Sequence, residues 1–74
     1  MEYLIRHLTN EGYVDGRGNL IYSLVDTKIC RTKEIMTQRV DQITYINGYY
    51  ELFSRIDKNH SWKLVDTNVP NRKR

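Results

Sequence analysis

Ile43-Thr44-Tyr45-Ile46-Asn47-Gly48-Tyr49-Tyr50-Glu51-Leu52-Phe53 sets Asn-Gly between two runs of β-branched and aromatic residues. Asn and Gly are the residues that best tolerate the two positive-φ positions of a type I′ turn, so the stretch reads as a two-residue β-hairpin. That turn would set the register: Ile46 opposite Tyr49, Tyr45 opposite Tyr50, Thr44 opposite Glu51 and Ile43 opposite Leu52. Tyr45, Tyr50, Ile43 and Leu52 would then share one side of the ribbon.

Downstream of Ile56, Asp57-Lys58-Asn59-His60 is turn chemistry, and Ser61-Trp62-Lys63-Leu64-Val65-Asp66 returns as a further strand. A four-residue loop places Phe53 opposite Leu64 and Arg55 opposite Trp62, a pair that could form a cation–π contact. The strands from Val40 to Asp66 therefore form a meander with large apolar groups on both faces. Ile43, Leu52, Ile56 and Val65 lie on one; Tyr49, Phe53, Trp62 and Leu64, with Arg55, lie on the other. Such a sheet is covered twice, closed into a barrel, or offered to a partner on one side.

The N-terminal half is less regular. Tyr22-Ser23-Leu24-Val25-Asp26-Thr27-Lys28-Ile29 resembles Trp62-Lys63-Leu64-Val65-Asp66-Thr67-Asn68-Val69, each copy reading aromatic-x-Leu-Val-Asp-Thr-x-aliphatic after a turn-rich stretch. The same hairpin design used twice would give a strand at 20–26 paired with a short one near 12–14. Tyr3 to Leu8 reads as an edge or closing strand. Residues 28–38 carry both signals: Ile29, Met36 and Val40 fit helical spacing, whereas Thr27, Ile29, Thr32, Ile35 and Thr37 are β-branched. The balance favours strand at 28–32 and then a turn or a single helical turn.

The expected fold is all-β and mainly antiparallel, with five or so short strands. It would be a meander or a small SH3-like or OB-like barrel, with room for one short helix near 31–38. The 74 residues support one core, divided here as a β domain over 1–68 and a basic, flexible tail over 69–74. Net charge is +3, yet residues 1–68 hold nine Lys plus Arg against nine Asp plus Glu, so the excess is Arg72, Lys73 and Arg74. Inside the body, only residues 28–39 are locally basic, through Lys28, Arg31, Lys33 and Arg39 against Glu34.

Cys30 is the only cysteine, which rules out an internal disulfide and suits a reducing cytoplasm. No apolar run approaches the length of a membrane span. The chain has no Ala, while Ile, Asn and Tyr number 7, 6 and 6, a usage that points to an AT-rich genome such as that of a phage or mobile element.

Catalytic groups do not converge in the sequence. Asp57, His60 and Ser61 are triad types but neighbours in one turn, and as a calcium loop the segment lacks Gly at position six and Glu at position twelve. His7, His60 and Cys30 lack zinc spacing, and Asp15-Gly16-Arg17-Gly18-Asn19 matches no phosphate loop. The expectation is a non-catalytic module with no metal and no cofactor. Its partner would be a protein, such as a host protein that it inhibits or modulates, engaged by Tyr49, Phe53, Arg55 and Trp62. The alternative is a nucleic-acid-binding barrel using Lys28, Arg31, Lys33 and Arg39 with the tail. A structural subunit forming a homo-oligomer is a third class.

Overall fold

The computed structural model describes residues 1–70. Strands β1 (Glu2–Val14) and β2 (Leu20–Cys30) precede helix α1 (Lys33–Tyr45), which is followed by β3 (Tyr49–Arg55) and β4 (Lys63–Thr67). The strands form one antiparallel sheet in the order β2-β1-β3-β4. The antiparallel, sheet-dominated class is the expected one. The number of strands is four rather than about five, β2 and β4 remain as edges instead of closing a barrel, and β1 is central rather than an edge strand.

The expected Asn-Gly hairpin does not form. Residues 43–45 belong to α1, Ile46 is its C-cap, and Asn47 adopts φ 59° just beyond it. The Asn47 amide donates to Thr44 O at 3.0 Å and the Gly48 amide to Ile43 O at 2.8 Å, the paired bonds of a Schellman motif. Asn47 thus uses its tolerance of the left-handed region to stop a helix. Consequently β3 pairs with β1, through Ile5 opposite Leu52 and Arg6 opposite Glu51, and Tyr45 is 89% exposed whereas Tyr50 is buried.

Helix α1 is the one short helix expected near 31–38, but it starts at Lys33 and runs on to Tyr45 instead of ending after a single turn. Its N-cap Thr32 accepts from the Ile35 amide at 3.2 Å, and Glu34 lies in the first turn, where the helix dipole favours an anion. Ile35, Thr37, Val40, Ile43 and Thr44 are poor helix formers, but Met36, Val40 and Ile43 recur at helical spacing and pack on the sheet. Burial of that stripe outweighs local propensity. The core is Ile5, Cys30, Ile43, Tyr50 and Leu52, with Tyr3, Met36, Val40 and Val65 against it. Ile56, assigned to the same face by the sequence, is exposed.

The internal repeat falls on the two edge strands. Arg6, His7 and Leu8 face Thr27, Asp26 and Leu24, just as Glu51, Leu52 and Phe53 face Thr67, Asp66 and Leu64. In each copy the valine, Val25 or Val65, is the extra residue of a register shift. In each, too, the aspartate accepts from the next residue's amide, Thr27 N–H at 2.8 Å and Thr67 N–H at 2.9 Å. The first copy, residues 22–29, pairs with residues 4–10 of β1 and not with a short segment near 12–14, where Val14 pairs with Leu20. Because Arg6 and Glu51 face each other across β1 and β3, exchanging the two hairpins maps this central pair onto itself.

Beyond Leu8, β1 and β2 continue without β3 as a two-stranded arm, closed by a turn at 15–19 in which Asp15 accepts from the Arg17 and Asn19 amides. Val69, placed at the start of the tail by the sequence, is buried at 3%. The packed body therefore includes it, and basic residues Arg72, Lys73 and Arg74 lie outside the described residues.

Candidate binding face

Alternation along the strands sends Ile5, Tyr50 and Leu52 to the helix, and so sends Glu2, Leu4, Arg6 and Leu8 of β1 and Tyr49, Glu51, Phe53 and Arg55 of β3 to the opposite face. The register organises that face into rows across the strands. Ile29, Leu4, Phe53 and Leu64 form an apolar row. Leu24, Leu8 and Tyr49 form a second, where Tyr22 meets Tyr49 edge to face with ring centroids 5.0 Å apart.

Between these rows lie Thr27, Arg6, Glu51 and Thr67. Arg6 Nη1 donates to Glu51 Oε1 at 3.0 Å, with the Glu51 side chain 8% exposed and that of Arg6 41%. Outside the first apolar row, Arg55 Nε donates to Glu2 Oε1 at 2.7 Å, and its guanidinium carbon lies 4.1 Å from the centre of the Trp62 ring. Both charged rows are thereby neutralised within the face. Leu8 and Glu51 are buried at the centre of this face, at 3% and 6%, whereas Leu24 and Ile29 on the edge strand are exposed by 52% and 53% and Leu4, Tyr49, Phe53, Trp62 and Leu64 are half-buried, so the row from Ile29 to Leu64 is the part open to solvent.

Four of the residues selected from the sequence, Tyr49, Phe53, Arg55 and Trp62, thus come together on one face, with Phe53 opposite Leu64 and Arg55 stacked on Trp62. The four basic residues lie elsewhere. Lys28 faces Ile5 on the helix side of the edge strand, Arg31 is in the β2–α1 link and Lys33 opens the helix. Arg39 is not a free cation: its Nη2 donates to Asp26 Oδ2 at 3.2 Å. The two sets do not make one site.

Sequence reading missed Leu4, Arg6, Leu24, Ile29 and Glu51 as members of the face. The alternation Leu4-x-Arg6-x-Leu8 carried the signal, but β1 read as an edge strand offers no reason to place it beside Phe53.

At the turn after β3, Asp57 accepts from the Asn59 amide and lies 2.8 Å from His60 Nδ1. The His60 hydrogen bond, then that of Asn59, holds the Asp57 carboxyl below its ordinary value. This is the expected turn, with the aspartate engaged locally. Among the described residues, no cluster of three or more His, Cys, Asp or Glu could hold a metal ion, and no helix is long and apolar enough to cross a membrane.

Comparison with protein-family models, with curated proteins and with solved structures finds no match. The functional reading consequently rests on the residues of this chain alone.

Proposed function

We propose that the chain is a small, non-catalytic protein-binding module that seats its partner on the helix-free face of the sheet. The observation that supports this reading is the gathering of Tyr49, Phe53, Arg55 and Trp62 around a partly exposed apolar row of Ile29, Leu4, Phe53 and Leu64. Aromatic and arginine anchors held by their neighbours lose little freedom on binding, which is the character of an interface hot spot. The amino-acid usage supports a phage or mobile-element origin, with a cytoplasmic host protein as the target whose activity is modulated.

Binding of nucleic acid by Lys28, Arg31 and Lys33 draws less support, because Arg39 is engaged by Asp26 and these residues lie off the aromatic face. The test is retention of protein from a host lysate by the immobilised chain, compared with folded Phe53→Asp and Trp62→Ala variants. Loss of a specific protein band in both variants supports the proposal. Equal retention by all three chains, or retention of nucleic acid alone, refutes it.

A further inference from the structure

We infer that the helix-free face takes a second copy of this chain, stacked sheet on sheet about a twofold axis parallel to the strands. The inference rests on the reading that this face binds protein, and names a partner for it. Such an axis keeps each residue at its level along the strands and exchanges β1 with β3 and β2 with β4. Each row that spans all four strands therefore meets its own reversed copy.

The charges make this arrangement self-complementary. Glu2 faces Arg55 and Arg6 faces Glu51 across β1 and β3, so the rotation lays Glu2 over Arg55, and Arg6 over Glu51, of the second copy. Opposite signs meet in both charged rows. A twofold axis across the strands would instead oppose Arg6 to Arg6 and Glu51 to Glu51, an arrangement that like-charge repulsion disfavours. Arg6, 41% exposed at its side chain, retains surface for a contact beyond its own Glu51.

The apolar rows agree with the same pose. Ile29-Leu4-Phe53-Leu64 meets Leu64-Phe53-Leu4-Ile29 in the aligned geometry common to packed antiparallel sheets, while the three-strand row Leu24-Leu8-Tyr49 overlaps its copy only through Leu8 and Tyr49. An unrelated partner would have no reason to match this order of charges; a second copy supplies it by symmetry.

Sedimentation equilibrium of the full chain over micromolar to millimolar concentration tests the inference. The expected particle has twice the 8.9 kDa chain mass. Ile29→Arg and Leu64→Arg should each raise the dissociation constant at least tenfold while far-ultraviolet circular dichroism is unchanged, and Tyr45→Arg, on the other side, should leave it within twofold. A monomer throughout the range overturns the inference, as does a dimer that folded Ile29→Arg and Leu64→Arg chains still form. A monomer that nonetheless captures another protein through Phe53 overturns the self-association alone and leaves the binding function standing.

Discussion

Arg6 and Glu51 face each other at the centre of the sheet, 3.0 Å apart, with the carboxylate buried and the guanidinium partly in water. The pair joins the two hairpins where no turn does. Removing the arginine takes the ion-pair partner from a buried carboxylate, whereas removing both groups leaves no such charge behind. Arg6→Met should therefore cost about 1 to 3 kcal/mol, and Arg6→Met with Glu51→Leu should recover part of it. Urea midpoints of the two variants decide the matter, and a double variant weaker than the single one would contradict it.

The helix stop makes a second prediction. At Gly48 a methyl group would stand 2.8 Å from His7 Nε2 and 3.1 Å from the Ile43 carbonyl. Gly48→Ala should lose about 1 to 3 kcal/mol through that overpacking. Asn47→Gly should change stability by only a few tenths of a kcal/mol, since glycine is the usual residue at a left-handed helix stop. Comparable tolerance of both substitutions in thermal melts would argue against this cap.

That dipeptide also explains how far the fold was legible. Asn-Gly serves both a type I′ turn and a helix stop, and only the preceding segment decides between them. There, β-branched Ile35, Thr37, Val40, Ile43 and Thr44 argue for strand, while the stripe Met36-Val40-Ile43 argues for helix once a sheet exists to bury it. Propensity is local and burial is not, so assigning Ile43 to a hairpin removed the last residue of the stripe. The β3–β4 pairing was legible because its turn, 57–60, sets the register without help from distant chain. Phe53 opposite Leu64 and the Arg55–Trp62 stack followed from it.

The Arg55–Trp62 contact is testable with the chain's single tryptophan. Arg55→Met removes both the stack and the bond to Glu2, and should cost about 1 kcal/mol with a shift in tryptophan emission. Glu2→Gln should leave the emission close to that of the parent chain. An unchanged spectrum in Arg55→Met would place the ring elsewhere.

Asp57 provides a pH prediction. Its folded carboxyl titrates below the ordinary value of 3.8, chiefly through the His60 hydrogen bond. The stabilisation this represents is present above that ordinary value and is lost as pH falls through the lowered one. His60→Ala should move the Asp57 titration, followed by carboxyl carbon resonances, upward toward 3.8. Identical titration in the two chains would assign the shift to the turn backbone instead.

The N-cap offers a simpler check on α1. Thr32→Ala deletes the acceptor for the Ile35 amide and should lower stability by about 1 kcal/mol, with Thr32→Asp restoring it. Amide exchange of Ile35 would report the loss at its source.

The repeated Leu-Val-Asp-Thr strand has a further consequence for how the molecule can grow. Each outer strand carries a bulge and spends one amide on its own aspartate, and these are features that discourage an incoming strand. Both lateral directions are thus closed to addition by the same device, and the remaining uncovered direction is the one perpendicular to the sheet. At high concentration the chain should form particles of fixed size, not fibres.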